Sequence, residues 1–286
     1  MTGGLRTGPL LREAARRLAA AGVPSPEHDA AELLAHVLGV SRSALAVHDV
    51  GAGAAADYDE LLQRREAREP LQHLTGVAGF RYLELAVGPG VFVPRPETEL
   101  LAGWAVDRAR AVVSEGTTPV VVDLCTGTGA IALSVATEVP EARVHAVELD
   151  ERACDWAARN LAGSGVDLRQ GDMAEAFPDL DGTVDVVVSN PPYIPLAAFE
   201  SVAAEARDHD PALALWSGED GLDAIRVVER VAARLLRGGG AAGAEHADLQ
   251  GDSAPAVFAG AGRWTDVRDH RDLAGRPRFV TARLAR

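Results

Sequence analysis

The chain has 286 residues, 47% of them apolar, and a formal charge of −14. That length suits one large or two modest domains with a real core. No apolar run approaches the ~18 residues of a membrane span, no charged leader precedes an apolar one, and the acidic balance argues against broad binding to a phosphate backbone. An acidic surface suits a basic protein partner instead. Cys125 and Cys154 are too few for a disulfide framework and have no metal-ligand spacing. A reducing cytoplasm is the expected home, and no metal is expected.

In chain order, the segment up to about Pro70 reads as helical. Leu10, Leu11, Ala14, Ala15, Leu18 and Ala19 recur at helical spacing and Gly22 closes the run. A second helix starts near Ser25-Pro26 and ends before Gly39; a third runs from Tyr58 to Arg68. Gly51 to Ala56 reads as a flexible surface loop. Residues 1–75 are thus expected to form a helical domain. Between Thr75 and Pro96 the apolar positions alternate around Gly88-Pro89-Gly90, so 76–96 is expected to be a β-hairpin linker. Residues 97–286 then alternate between strands and helices. Strands are expected at 119–124, 143–149, 166–169, 184–189 and 240–245, with an antiparallel edge near 264–268 and 278–284. Helices are expected at 130–137, 151–161 and 220–236. This is an α/β pattern with a largely parallel sheet.

Two stretches carry chemistry. The buried run Val184 to Ser189 leads into Asn190-Pro191-Pro192-Tyr193, at the carboxyl end of a strand, where open α/β sheets place ligands. Asn offers an acceptor, two prolines stiffen the loop and remove donors, and Tyr193 offers a flat ring. Together they suit a planar NH2 group, as methylation of an amide or exocyclic nitrogen requires. The other stretch is Asp123-Leu124-Cys125-Thr126-Gly127-Thr128-Gly129-Ala130, a glycine-rich turn between strand and helix. Glu148, 19 residues after Gly129, is placed to accept both hydroxyls of a ribose. Alone, Gly127-x-Gly129-x-x-Ala132 also suits a dinucleotide. Asp172, which suits an adenine amino group, and Met173, which suits the ring face, together with Asn190, turn the pattern toward an S-adenosylmethionine methyltransferase. Asp123, Thr126, Gly127, Thr128, Gly129, Glu148, Asp172, Met173 and Asn190 are the expected cofactor-binding residues.

These stretches, with Pro70 to Gly76, Val93 to Glu99, His209 to Leu215, Gly218 to Leu222 and Asp272 to Arg276, resemble the release-factor glutamine N5-methyltransferases, the PrmC or HemK family. The resemblance implies a helical N-terminal domain, a hairpin linker and a seven-stranded Rossmann-like methyltransferase domain. It also implies the substrate, the glutamine of the Gly-Gly-Gln motif in bacterial class I peptide-chain release factors. It gives the first domain a substrate-docking role and adds Arg95 and Glu97 to Asn190, Pro191, Pro192 and Tyr193 as substrate-binding residues. Cys125 stands where the family more often has glycine, and Trp216 where a smaller residue is common.

The chemistry expected is direct displacement. Asn190, Pro191 and Tyr193 orient the nitrogen, with no covalent intermediate and no evident general base. Rival readings are a glutamine methyltransferase of a ribosomal protein, a nucleic-acid N-methyltransferase acting on a flipped base, and a catalytically silent assembly factor. The net charge and the lack of a basic, aromatic-rich recognition region argue against a direct nucleic-acid substrate.

Overall fold

The computed structural model describes residues 5–201 and 204–286, which form two compact units. Residues 1–4 of the expected helical domain lie outside the described residues.

The first unit opens with β1 (Leu5–Arg6), α1 (Thr7–Ala20) and α2 (Pro26–Leu38), followed by β2 (Asp49–Val50), which pairs with β1. Next come α3 (Ala52–Glu66) and the short α4 (Leu71–Thr75). The expected loop at Gly51 to Ala56 is corrected: Ala52 onward is the start of α3. Alanine loses no side-chain entropy in a helix, so an alanine-rich stretch extends a helix that packing already supports. Leu18, Ala30, Leu33, Leu34, Tyr58 and Leu62 make this unit's core. The Tyr58 hydroxyl donates to the Ala30 carbonyl at 2.9 Å, and Arg65 donates to Asp29 at 2.8 Å, both partners buried.

The second unit runs from Ala78, within β3 (Val77–Phe80), which pairs with β4 (Leu83–Ala86). The hairpin therefore turns at Arg81-Tyr82, not at Gly88-Pro89-Gly90, and Val91 to Val93 form no strand. Arg81 takes φ 51°, the left-handed conformation a two-residue hairpin turn demands. Its guanidinium is anchored on Glu138 at 2.6 Å. Beyond lie α5 (Thr98–Ser114), β5 (Val120–Leu124), α6 (Ala130–Glu138), β6 (Arg143–Glu148), α7 (Glu151–Asn160), β7 (Asp167–Gln170) and β8 (Val184–Ser189).

The chain then lends α8 (Ala204–His209) to the first unit. There Glu205 accepts from Arg65 at 3.1 Å and from Arg68 at 2.6 Å. The second unit resumes with α9 (Ala212–Leu215), α10 (Asp223–Leu235), β9 (Leu236–Glu245), α11 (Ser253–Gly260), β10 (Trp264–Arg271) and β11 (Pro277–Leu284).

The sheet is seven-stranded in the order β10-β11-β9-β8-β5-β6-β7. Its β7-to-β9 part is parallel and the β9-β11-β10 edge antiparallel. Every residue of β5 and β8 is buried, as expected for central strands covered on both faces. Val121, Val186 and Val188 pack with α5 and α6; Val120, Val122 and Val187 pack with α10. Chain order reverses between β5 and β8, so the ends of these strands form the switch-point crevice of an open sheet. Among the described residues no helix is long and apolar enough to cross a membrane.

Candidate active site

At the end of β5 the chain enters a tight, largely left-handed turn: Cys125, Gly127 and Gly129 take φ of 60°, 56° and 82°. Asp123 holds this turn from below. Its Oδ2 accepts from the Thr126 hydroxyl at 2.6 Å and from the Ala132 N–H at 3.1 Å. Its Oδ1 is buried without a partner. Burial pushes this carboxyl up to about 7, against the pull of those two donors. Thr126 and Thr128 are buried in the turn, and the Thr128 carbonyl accepts from Asn160 Nδ2 at 2.9 Å.

Glu148, at the end of β6, accepts from the Gly127 N–H at 2.8 Å through Oε2 and from the Asp150 N–H at 3.0 Å through Oε1. Each oxygen keeps a further lone pair, and burial raises the group above the usual carboxylate range. A Cβ on Gly127 would meet nothing within 4 Å, so the turn borders open space.

After β7, Asp172 is exposed and its Oδ1 caps Ala174 N–H at 2.8 Å. Met173 Sδ lies 3.4 Å from Cys125 Sγ, which brings this loop to the glycine turn. An unpartnered buried carboxylate oxygen, a second carboxylate with lone pairs to spare, a thioether and an open glycine turn fit a nucleoside cofactor with a cationic end.

The tetrapeptide begins one residue beyond β8. Ser189 donates to the Leu124 carbonyl at 2.7 Å, tying this strand end to the cofactor turn. Asn190 Nδ2 donates to Thr98 Oγ1 at 3.3 Å, which directs Oδ1 away from α5. The Tyr193 hydroxyl donates to Glu245 Oε1 at 3.2 Å; burial raises the phenol and the Glu245 charge raises it further. The loop is braced from outside: Gln250 Nε2 donates to the Tyr193 carbonyl at 3.1 Å, and Ile194 N–H donates to Leu215 O at 2.9 Å. Gly221 lies so close that a Cβ there would sit 2.4 Å from the Tyr193 carbonyl.

Arg95 donates to the buried Asp210 carboxylate at 2.7 Å, with its guanidinium 4.7 Å from the Phe92 ring centroid. Glu97 is exposed at the cap of α5 and bears electrostatically on Glu245 and Arg278.

Two family models match, "PrmC N-terminal domain" over residues 9–76 and "Methyltransferase domain" over 121–209. A release factor glutamine methyltransferase of Streptomyces coelicolor is 63% identical, with 96% of each chain covered. The chain belongs to the release factor glutamine methyltransferase family. The enzyme of the same name from Mycolicibacterium smegmatis is 49% identical, with 99% of each chain covered. A 4-amino-L-phenylalanine/4-methylamino-L-phenylalanine methyltransferase of Streptomyces pristinaespiralis is 50% identical over 71% of this chain and 70% of its own. Among solved structures, the hMettl16 catalytic domain in complex with MAT2A 3'UTR hairpin 6 shares the fold. Its TM-score is 0.51 at 13% identity, covering 70% of this chain and 75% of that one.

The supports of the acceptor loop are not among the residues expected from the sequence of this methyltransferase. Thr98, Glu245, Gln250 and Gly221 touch the tetrapeptide or its side-chain partners, yet none stands near it in the chain. Thr98 and Gly221 fall within stretches that carry the family resemblance, and Glu245 is the one acid of a strand whose other charged residue, Arg237, stands near the opposite end; that lone acid was the available signal. Trp216 stacks on Phe199 with centroids 5.5 Å apart, so its bulk is taken up by an aromatic neighbour.

Proposed function

We propose that this chain transfers the methyl group of S-adenosyl-L-methionine to the side-chain amide nitrogen, N5, of the glutamine in the Gly-Gly-Gln motif of class I release factors, in the cytoplasm. The observation that carries this reading is the polarity of Asn190. One N–H of its NH2 is bonded to Thr98, which turns its carbonyl outward as the acceptor that an amide NH2 needs. Close identity over nearly the full length of the Streptomyces coelicolor relative supports the substrate.

S-adenosyl-L-methionine, when bound, supplies a sulfonium-activated methyl group and leaves as S-adenosyl-L-homocysteine. Glu148 would accept the ribose hydroxyls, Asp123 Oδ1 would face the cationic end, and Asp172 and Met173 would flank the base. Asn190 Oδ1 and the Pro191 carbonyl accept the two amide hydrogens, while Pro192 keeps the loop rigid and Tyr193 packs on the amide. As the nitrogen gains positive charge these acceptors bind it more tightly, which favours the transition state over the ground state, and the methylated nitrogen then gives up one proton to solvent water. Holding donor and acceptor in line contributes further; ideal intramolecular cases reach ~7–11 kcal/mol. Arg95, held by Asp210, bears electrostatically on Tyr193, and Glu97 stands at the rim. The helical unit, which carries no catalytic constellation, serves to dock the folded release factor.

The deciding experiment is a tritiated-methyl transfer assay with purified release factor, bulk RNA, ribosomal proteins and 4-amino-L-phenylalanine as parallel acceptors. Label on the Gly-Gly-Gln glutamine supports the reading. Label on any other acceptor, with none on the release factor, refutes it. A lower kcat/KM on a short Gly-Gly-Gln peptide than on the intact factor is expected if the helical unit docks the protein.

A further inference from the structure

The acceptor loop does not stop at Tyr193. The chain runs on as Ile194-Pro195-Leu196 and is clasped there by the end of α9 and the residues after it. Ile194 N–H donates to the Leu215 carbonyl, and the Ile194 carbonyl accepts from Ser217 N–H, both at 2.9 Å. Leu196 N–H donates to the Gly218 carbonyl at 3.0 Å. Ser217 Oγ accepts from Ala224 N–H at 2.8 Å, which moors the clasp to α10. On this frame sits an apolar surface. Ile194 bridges to Trp216, Trp216 stacks on Phe199 with 28° between the rings, and Leu213 stands on α9 just before them. Leu196, Phe199 and Leu213 keep 59%, 52% and 59% of their surface exposed. Single exposed apolar side chains are ordinary, but several gathered on one rigid frame mark an interaction surface. Only 5% of the chain is aromatic, and a Trp–Phe pair left at the surface beside the acceptor loop is the kind of anchor that interface cores favour.

We propose that this clasp, with Leu196, Phe199, Leu213 and Trp216, is the docking surface for the release-factor segment that carries Gly-Gly-Gln. Continuity with the acceptor site assigns the occupant. The clasp begins at Ile194, directly after Tyr193, and an extended chain advances only ~3.3–3.6 Å per residue. A glutamine held by Asn190 therefore brings its own flanking backbone to this surface within a few residues. The two glycines have no Cβ, so their peptide planes can lie flat against aromatic rings. Glycine is also the residue whose backbone costs most to order, and apolar contact along the segment offsets that cost. The inference rests on the proposed reading of the acceptor site. It gives the methyltransferase unit a grip on the segment itself, apart from the helical unit's docking of the folded factor.

The test uses the full-length enzyme with S-adenosylmethionine and two acceptors, intact release factor and a short Gly-Gly-Gln peptide. Wild type is compared with Phe199→Ala, Phe199→Leu and Leu213→Ala. Phe199→Ala should lower kcat/KM roughly five- to thirtyfold, the range of a truncated aromatic anchor. The drop should be of similar size on both acceptors, because both contain the segment. With intact factor it should lie in KM, with kcat and cofactor affinity within about twofold, as for a contact made equally in ground and transition states. Phe199→Leu keeps an apolar side chain and should recover most of the loss; Leu213→Ala should show a smaller loss of the same kind.

Unchanged kcat/KM in both alanine variants overturns the inference and leaves the functional reading intact. A loss confined to the intact factor also overturns it, since the surface then meets another part of the partner. So does a wild-type dimer in light scattering that Phe199→Ala converts to monomer, which would give the surface to a second copy of this chain. A parallel loss of cofactor affinity marks a merely structural role and overturns it as well. If Phe199→Ala does not fold, Leu213→Ala decides by the same split between KM and kcat. A wild-type enzyme that labels no release factor refutes the functional reading, and this inference with it.

Discussion

The loops after β5 and β8 are neighbours at one edge of the same sheet, yet they are stiffened by opposite means. The cofactor loop is left-handed at Cys125, Gly127 and Gly129 and is held mostly by carboxylates of its own neighbourhood, Asp123 and Glu148. The acceptor loop has no residue of positive φ between Asn190 and Tyr193. Its prolines fix φ, its side chains are held by Thr98 and Glu245 and its backbone by Gln250, which stand 92, 52 and 57 positions from their partners. The first loop must let a ligand approach its backbone, which favours glycine and local bracing. The second must aim side chains at a nitrogen, which calls for rigid support drawn from several elements.

If the two loops do divide binding from orientation, single changes should separate the two functions. The largest effect is expected for Asn190→Ala. It removes one transition-state acceptor and should cost on the order of 10²-fold in kcat, by comparison with oxyanion-hole donors. Cofactor affinity should fall much less than turnover, because Glu148 and Asp123 are untouched. Single-turnover methylation at the wild-type rate would break the division.

Glu148→Ala tests the other side. A hydrogen bond to a charged group is worth ~1.5–3 kcal/mol, so cofactor affinity should fall roughly ten- to a hundredfold by calorimetry. The same change frees the Gly127 N–H, so a folded mutant with unchanged affinity would remove Glu148 from both roles at once.

The legibility of the two loops in the sequence follows this contrast. The β5 turn was readable because its reasons are close by: Asp123 reaches Thr126, three residues on, and Glu148 comes at the end of the next strand. The tetrapeptide was readable as a motif, but its supports were not, because strand order rather than sequence order brings Glu245 to Asn190. The same holds for the fold. Buried parallel strands announced themselves as apolar runs, whereas α11 was not anticipated and β9 begins at Leu236, four residues before the expected start. The glycines of β9 conceal a strand whose partners on both sides supply its stability. The hairpin was misplaced because Gly88-Pro89-Gly90 is the stronger turn signal, while Arg81-Tyr82 carries neither glycine nor asparagine to announce a turn.

A smaller, graded effect concerns Asp123. Burial raises its folded carboxyl from 3.8 to about 7. The fold favours the protonated form, so this group's contribution to stability is complete below pH ~4 and is lost as pH rises through 7. A cationic ligand favours the ionised form. Cofactor affinity should therefore rise with pH between about 5.5 and 7, by at most tenfold per unit, and Asp123→Asn should flatten that slope. Calorimetry showing a flat wild-type profile would mean that Asp123 Oδ1 does not face the ligand's charge.

The smallest effect is expected at Cys125, and it sharpens the contrast on its own ground. A side chain in the left-handed region costs ~1–2 kcal/mol, and glycine would relieve that strain. Glycine also adds chain entropy to the unfolded state, worth ~0.5–1 kcal/mol in the other direction. It forfeits the Cys125 contact with Met173 Sδ at 3.4 Å as well. These terms nearly cancel. Cys125→Gly should therefore shift Tm by no more than a few degrees upward or leave it unchanged, with cofactor affinity within about twofold. A drop in affinity beyond tenfold would show that the Cys125–Met173 contact shapes the base-binding side of the site. The cofactor loop would then, like the acceptor loop, depend on a partner distant in sequence.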